Sequence, residues 1–266
     1  MDNRLLDFRN FLFLAWDQLR LPEPTDIQYD IADYLQNGPR RLCIQAFRGV
    51  GKSWITSAFV CHQLLLDPTK NILVVSASKQ RADDFSTFTL RLIEEMPILQ
   101  HLKPKENQRN SKIAFDVGPA PASHAPSVTS RGITSQITGQ RADLIISDDS
   151  ESLNNSATMG MRDKLTEATR EFEAVIKPEG RIIYLGTPQT EMSIYTTLPE
   201  RGYDVRVWPA RYPDEKTQIN LSNRVAPKII SELEADPELV GKPTDPKRFD
   251  EFDLMEREAS YGRTGF

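Results

Sequence analysis

A glycine-rich segment from Ala46 to Ser53 has the residue types and spacing of a phosphate-binding loop. Gly51, Lys52 and Ser53 match the usual pattern, whereas Ala46 stands where the first glycine is normally found. Consecutive backbone N–H groups at the start of a helix can bind phosphates. Lys52 would neutralise the β- and γ-phosphates of a nucleotide, and Ser53 would ligate Mg²⁺. The predicted nucleotide-binding residues are Ala46, Phe47, Arg48, Gly49, Val50, Gly51, Lys52, Ser53 and Trp54.

A second candidate is the apolar run from Leu144 to Ser147, which ends in two acids, Asp148 and Asp149. A buried strand that ends in carboxylates can hold Mg²⁺ beside a bound nucleotide, and Asp148 is the predicted ligand. A neighbouring carboxylate would polarise the attacking water. Asp149 is adjacent and Glu151 follows two positions later, so the general base stays open between them. An acidic turn after a strand can also lack function, but the phosphate loop upstream favours the metal site.

Two further residues could contact the nucleotide. The amide of Gln28 can donate and accept hydrogen bonds, so it could read the edge of adenine, although it could equally be an ordinary residue at the start of a helix. Arg48 lies inside the phosphate loop, where a guanidinium is expected to contact phosphate.

Other candidates flank the acidic segment. Arg131 and Arg141 precede it, and either could act as an arginine finger in a neighbouring copy of the chain. Surface salt bridges are the equal alternative for both. Thr187 and Gln189 follow the next buried strand, whose end would face the ligand crevice of an α/β sheet. Either could sense the γ-phosphate, unless the segment is only a turn.

The composition is that of a globular chain without strong charge bias. Of its 266 residues, 39% are hydrophobic and 27% are charged, with a formal net charge of −5. This balance argues against a protein that coats nucleic acid with its whole surface. Cys43 and Cys61 lie in apolar runs and are expected to be buried and reduced. The apolar run 11–16 is too short to span a membrane, so no membrane anchoring is expected.

Buried strands alternate with amphipathic helices along most of the chain. Strands are predicted at 42–46, 72–77, 143–148, 181–186 and 203–208, with helices between them. This order indicates an α/β fold with a mainly parallel central sheet flanked by helices.

Two regions depart from that alternation. Ile113, Phe115 and Val117 alternate with polar residues, which predicts an added β-hairpin. After residue 209 the chain becomes polar and rich in proline, with one helix predicted over 217–235. We therefore divide the chain into a core with N-terminal helices, 1–209, and a small lid or linker subdomain, 210–266.

Three segments together identify a family: the phosphate loop Ala46–Ser53, then Thr138–Asp149, then Tyr184–Glu191. The combination resembles the ATPase domain of the large terminase subunit of tailed bacteriophages, of the podovirus kind, from about Leu21 onward. The resemblance implies a P-loop NTPase fold of the ASCE or RecA-like type, with ATP and Mg²⁺ as cofactors. By similarity, Asp148 and Asp149 form the acidic motif, and Gly186-Thr187-Pro188 forms the motif that couples hydrolysis to movement.

What the resemblance implies is a motor that drives double-stranded viral DNA into a procapsid with ATP. The implied partners are DNA, the portal protein, the small terminase subunit and further copies of the chain, five in a ring. The implied location is the host cytoplasm. Relatives also carry a C-terminal metal-dependent nuclease. The acids after Trp208 lack its spacing, so we expect nuclease activity to be absent from this chain, with 210–266 leading toward the missing domain.

Two alternatives remain beside the packaging motor. One is a helicase-like or DNA-repair ATPase with the same core, although a remodelling helicase normally needs a second motor domain. The other is a nucleotide-dependent scaffold that hydrolyses little ATP. Candidate DNA contacts are the cations Lys103, Lys105, Arg109 and Lys112, for which a solvated loop is the alternative.

Overall fold

The computed structural model describes residues 2–187 and 193–261. Within these ranges the strands are β1 (Arg41–Ala46), β2 (Ile72–Ser76), β3 (Ala114–Phe115), β4 (Val128–Gly132), β5 (Ala142–Asp148), β6 (Ile176–Gly186) and β7 (Asp204–Trp208). The helices are α1 (Phe8–Gln18), α2 (Asp26–Asn37), α3 (Lys52–Leu66), α4 (Lys79–Glu95), α5 (Leu153–Ser156), α6 (Met159–Val175), α7 (Ile194–Thr197), α8 (Glu215–Asn220), α9 (Pro227–Ala235) and α10 (Glu251–Tyr261).

The seven strands form one sheet in the order β3-β4-β2-β5-β6-β1-β7. All neighbouring pairs are parallel except β3 with β4. The predicted α/β fold with a mainly parallel sheet is therefore confirmed. Because β5, β6 and β1 are neighbours and parallel, their carboxyl ends lie side by side at one edge of the sheet.

The side chains of the strands alternate between two cores. In β1, Leu42 and Ile44 belong to a large core under α1 to α4, while Cys43 belongs to a second core under α6 and α7. In β2, Ile72 and Val74 belong to the first core, and Leu73 and Val75 belong to the second. The period-two alternation of strand side chains therefore builds three layers, with helices on both faces of the sheet.

Helix starts follow local capping chemistry. Thr25 caps α2 in a capping box with Gln28, and Ser78 caps α4 by accepting from the Arg81 N–H. At its other end, α4 stops at Glu95, two residues before Pro97. Local signals thus set these helix boundaries.

The predicted hairpin is present as a short antiparallel addition at the edge of the sheet. Ala114 pairs with Thr129, and Phe115 pairs with Val128. Its second strand, β4, is also a parallel neighbour of β2 and so belongs to the main sheet. The fourth predicted strand is longer than expected, because β6 begins at Ile176.

The prediction of a single helix over 217–235 was wrong. The chain forms two helices there, α8 and α9, separated by a turn in which Ser222 and Asn223 both have φ of 55°. This left-handed backbone cannot continue an α-helix, and Pro227 then begins α9 at a position where its missing N–H costs nothing. Among the described residues, no helix is long and apolar enough to cross a membrane.

Candidate nucleotide-binding site

The predicted phosphate and metal residues converge where β1, β6 and β5 end. Lys52 follows β1 through the phosphate loop, and its Nζ donates to the Ala46 carbonyl at 2.6 Å and to Thr187 Oγ1 at 3.3 Å. Ser53 Oγ donates to Asp148 Oδ1 at 2.9 Å. These contacts connect three neighbouring strand ends: the phosphate loop after β1, Thr187 after β6 and Asp148 at the end of β5.

The phosphate loop depends on two glycines with left-handed backbone. Gly49 has φ of 87° and Gly51 has φ of 94°, a region that residues with a Cβ rarely adopt. Gly51 directly precedes Lys52, the first residue of α3. The loop therefore turns sharply into the N-terminus of a fifteen-residue helix, where free backbone N–H groups and the helix dipole favour anions.

Burial shapes the electrostatics of the site. Burial lowers the pKa of Lys52, while the charges of Asp149 and Asp148 oppose that shift. Burial and then the charge of Asp149 raise the pKa of Asp148 to about 7. The site therefore holds the buried ammonium group of Lys52 and the buried carboxyl group of Asp148 beside the half-buried Asp149. Phosphate and a divalent cation would add charges that compensate these groups.

The two candidate bases have different surroundings. Asp149 is half-buried, borders the cavity described below and has φ of 44°, the left-handed region that costs energy for a residue with a side chain. Glu151 is only 3% exposed. Its Oε2 accepts hydrogen bonds from Ser193 Oγ and from the Ile194 N–H. The Glu151 carboxylate is thus already bound to the chain that follows β6.

The amide of Gln28 is engaged at both ends by protein atoms. Its Nε2 donates to the Val50 carbonyl at 2.7 Å, and its Oε1 accepts from the Thr25 N–H at 3.1 Å. Gln28 therefore supports the phosphate loop directly. One N–H and one lone pair of this amide are not used by these two bonds, so the support of the loop does not by itself rule out a contact with adenine.

A cavity of about 1400 Å³ opens above the phosphate loop. It brings together most of the predicted nucleotide-binding residues. Those that border it are Gln28, Arg48, Gly49, Gly51, Lys52, Ser53, Trp54, Asp149, Glu151 and Thr187. Arg48 is half-buried, whereas Trp54 is 45% exposed, with its ring centroid 4.9 Å from that of Phe88. Ala46, Phe47 and Val50 form the buried back of the loop.

Sequence reasoning missed several residues that also border this cavity: Arg81, Asn154, Lys247, Arg248 and Arg257. Arg81 follows the end of β2, next to β5 in the sheet, so the rule that parallel strands end together could have identified it. Its charge favours the ionised form of Asp148. The cations from the C-terminal segment carry no local signature of their position.

That C-terminal segment contacts the phosphate loop directly. Phe249 lies against Gly49, where an added Cβ would be 2.8 Å from its ring, and packs edge-on against Phe47. The Arg248 Nε donates to the Gly49 carbonyl. Thr25, which caps α2, donates to Asp245 Oδ2 at 2.7 Å. Residues 245–249 therefore hold both the phosphate loop and the start of the helix that carries Gln28.

The two proposed arginine fingers lie apart from this site. Arg131 and Arg141 border a separate cavity of about 600 Å³, together with Asn71 and Lys177. Arg141 precedes β5 and lies at the opposite edge of the sheet from the phosphate loop, where it donates to the Ala174 carbonyl. Neither arginine borders the cavity of its own phosphate loop. Pro188 and Gln189, named with Thr187 above, lie outside the described residues.

The basic cluster before the hairpin is only partly available for DNA. Lys103, Lys105 and Lys112 are exposed. Arg109 forms an ion pair with Asp116 at 3.2 Å and donates to the Ser123 carbonyl at 3.0 Å. Arg109 therefore holds the hairpin loop, so the three lysines are the better candidates for phosphate contacts.

The residues fit a magnesium ion that arrives with its nucleotide. Ser53 Oγ and Asp148 Oδ1, the two predicted ligands, are 2.9 Å apart. Among the described residues no group of three or more histidine, cysteine or acidic side chains is arranged to hold a metal ion by itself. Mg²⁺ at such sites is usually held by one or two protein oxygens with phosphates and water. The Ser53–Asp148 pair has this composition.

Comparison with known proteins agrees with the resemblance found in the sequence. Residues 43–176, just over half of the chain, match the family described as "Terminase large subunit, T4likevirus-type, N-terminal". The chain is 51% identical over 266 residues to "Terminase, large subunit" of Enterobacteria phage T3, covering 98% of this chain and 45% of that relative.

The chain thus spans less than half the length of this relative. The fold is similar to the crystal structure of the HK97 bacteriophage large terminase, with a TM-score of 0.57 and 16% identity over 98% of this chain and 52% of that chain. From the family match, supported by the phosphate loop and the acidic strand, this chain belongs to the large terminase subunit family.

Proposed function

We propose that this chain is the ATP-hydrolysing motor part of a machine that packages double-stranded viral DNA into a procapsid. The observation that carries the proposal is the pair of contacts Lys52–Thr187 and Ser53–Asp148, which connects three strand ends. This arrangement supports nucleotide hydrolysis, and the large-terminase family supplies the DNA-packaging context.

The proposed chemistry is the attack of water on the γ-phosphorus of ATP. The bond from the water oxygen to phosphorus forms as the bond to the bridging oxygen breaks. Lys52, Arg48 and the loop N–H groups bind the phosphates. Ser53 and Asp148 would hold Mg²⁺, which neutralises phosphate charge when bound. Asp149 and Glu151 both border the cavity, and one of them would accept the proton of the water.

The proposed partners follow from the family. They are double-stranded DNA, the portal protein, the small terminase subunit and further copies of this chain, five in a ring, in the host cytoplasm. Because Arg131 and Arg141 border a cavity apart from their own phosphate loop, either could reach a neighbour's nucleotide in such a ring.

We keep the division into a core, 1–209, and a lid or linker, 210–266, as a proposal. Residues 210–266 are also proposed to lack nuclease activity. In support, described acids after Trp208 serve ion pairs: Glu251 and Glu258 bind Arg211, and Glu232 binds Lys228. Metal-dependent cleavage of plasmid DNA by this chain would contradict that proposal.

Steady-state ATPase measurements test the motor proposal. Lys52→Ala and Asp148→Ala are each expected to lower kcat by about 10²-fold or more, because each removes a charge that acts on the transition state. Lys216→Ala, an exposed lysine of α8, serves as the matched control and should hydrolyse at the wild-type rate. Equal rates in all four proteins would reject hydrolysis at this site and favour the scaffold.

A second assay separates packaging from a helicase. ATP-dependent protection of DNA from nuclease, in the presence of portal-bearing procapsids, is expected for wild type and lost in Lys52→Ala. Displacement of a strand from a forked duplex by this chain, without such protection, would favour the helicase instead.

A further inference from the structure

Glu151 is buried at the junction between the acidic loop and the chain after β6. Its Oε2 accepts hydrogen bonds from Ser193 Oγ and, at 3.1 Å, from the Ile194 N–H. Its other oxygen, Oε1, is buried and has no hydrogen-bond partner among the described residues. A buried carboxylate is costly to hold, so the contacts to Ser193 and Ile194 are expected to be important for the arrangement of this junction.

A second set of contacts connects the same two parts of the chain. The Leu185 carbonyl, near the end of β6, accepts from the Asp149 N–H at 3.0 Å and from the Tyr195 hydroxyl at 3.3 Å. The Tyr195 ring lies over Gly186 so closely that a Cβ there would be 2.2 Å from it. The acidic loop, the end of β6 and the start of α7 therefore form one packed unit.

The charge of Asp149 acts on the phosphate-binding lysine and on the proposed metal ligand. After burial, Asp149 is the largest charge acting on the pKa of Lys52, and it is also the largest acting on the pKa of Asp148. Both acids act on Tyr195, whose pKa is raised first by burial, then by the charge of Asp149 and less by that of Glu151. Asp149 is thus the acid closely associated with the phosphate-binding lysine.

We propose that Glu151 is a positioning residue that fastens Ser193 and Ile194 to the acidic loop, and that it does not accept a proton from the attacking water. Asp149 is the acid that remains for that role. The inference rests on the proposed ATPase activity and extends it. Glu151 holds the start of α7, whose Tyr195 contacts the end of β6 just before Thr187. In this way Glu151 keeps Thr187 beside Lys52 and keeps Asp149 facing the cavity.

The conservative variants Glu151→Gln and Asp149→Asn distinguish the two roles. Gln keeps an oxygen that can accept from Ser193 and Ile194 but cannot act as a base. Glu151→Gln is therefore expected to keep kcat within about threefold of wild type, whereas Asp149→Asn loses about 10²-fold or more. Glu167→Gln, an exposed residue of α6, is the matched control and should be unchanged. A loss in Glu151→Gln as deep as in Asp149→Asn overturns the proposal.

Removal of the contact tests the positioning role itself. Glu151→Ala and Ser193→Ala are each expected to lower kcat by about tenfold with KM for ATP changed less than about twofold, because the phosphate loop is untouched. The double variant should lose little more than Glu151→Ala alone, because Glu151→Ala already removes the bond to Ser193. Full activity in Glu151→Ala, or additive losses in the double variant, would overturn the proposal.

The outcome for Lys52→Ala separates this inference from the proposed function. If Lys52→Ala hydrolyses ATP at the wild-type rate, hydrolysis at this site is rejected as a whole. If Lys52→Ala is inactive and Glu151→Gln is as inactive as Asp149→Asn, only the positioning role of Glu151 fails. Thermal unfolding of each variant identifies any loss that arises from misfolding.

Discussion

The ammonium group of Lys52 is held by the protein itself. It donates to carbonyl oxygens of Ala46 and Phe47 and to the hydroxyl of Thr187. These three oxygens take up the N–H donors of Lys52 that would otherwise bind phosphate oxygens. Binding of a nucleotide is therefore an exchange of partners for Lys52, and Thr187 is the partner that belongs to the proposed coupling motif.

The hydroxyl of Ser53 provides a direct test of the metal site. Ser53→Ala removes the group that donates to Asp148 and is expected to raise the Mg²⁺ concentration needed for half-maximal ATPase activity by about tenfold. Ser53→Thr keeps a hydroxyl and should stay close to wild type. The measurement is a Mg²⁺ titration at saturating ATP. An unchanged Mg²⁺ requirement in Ser53→Ala would argue against Ser53 as a ligand.

At the scale of elements, the phosphate loop is enclosed by a segment from the far end of the chain. Phe249 packs on Gly49 and Phe47, and Asp245 accepts from the residue that caps α2. Val50 is in turn bound by Gln28 of that helix. The conformation of the loop thus depends on two elements that contribute no residue to the loop pattern.

A pair of glycine variants separates local backbone strain from this packing. Gly49 and Gly202 have φ of 87° and 83°, so alanine at either position costs about 1–2 kcal/mol of folding free energy. A Cβ added at Gly49 would lie 2.8 Å from the Phe249 ring, whereas a Cβ added at Gly202 would have no atom within 4 Å. Gly49→Ala is therefore expected to be the more destabilising and, unlike Gly202→Ala, to weaken ATP binding. Denaturant unfolding and nucleotide titration check both effects; equal effects would contradict the packing argument.

The elements with local signals were predictable from the sequence. Apolar runs located β1, β2 and β5, and capping residues with prolines bounded α2 and α4. The site was predictable as far as it follows strand ends. Asp245 and Arg248 were not, because they contact residues 220 and 199 positions away and no spacing rule records such pairings. The break between α8 and α9 was missed because left-handed backbone at Ser222 and Asn223 leaves only a weak signal.

At the scale of the whole molecule, the N-terminal helix is joined to the core through a buried histidine. His62 of α3 is fully buried beside Phe8 and Phe11 of α1. Its Nε2 bonds to the Leu5 carbonyl at 2.8 Å, so Nε2 must carry the proton. Among the described residues, Nδ1 is buried without a hydrogen-bond partner. Protonation would add a charge and a donor that the surrounding core does not satisfy.

Stability is therefore expected to fall on acidification through His62. Burial lowers the pKa of His62 below its ordinary value of 6.5, so the unfolded chain takes up the proton first. The contribution of neutral His62 to stability is fully present above pH 6.5 and is lost as the pH falls below it. The free energy of unfolding then falls by up to about 1.4 kcal/mol per pH unit. Denaturant unfolding of wild type and His62→Gln from pH 7.5 to 5.5 measures it.

His62→Gln is expected to be less stable than wild type at pH 7.5, and the difference in free energy of unfolding should become smaller toward pH 5.5. His101→Gln, which changes an exposed histidine, is the control and should follow the wild-type curve. A constant gap between wild type and His62→Gln would show that titration of His62 does not affect stability.

The contacts of residues 245–249 with the phosphate loop also have a consequence for synthesis. A ribosome makes the loop first, and Asp245, Arg248 and Phe249 emerge about two hundred residues later, after every strand of the described sheet. A nascent chain that has completed the sheet still lacks the side chains that cover Gly49. The arrangement of the phosphate loop described here is therefore complete only after residues 245–249 have been translated.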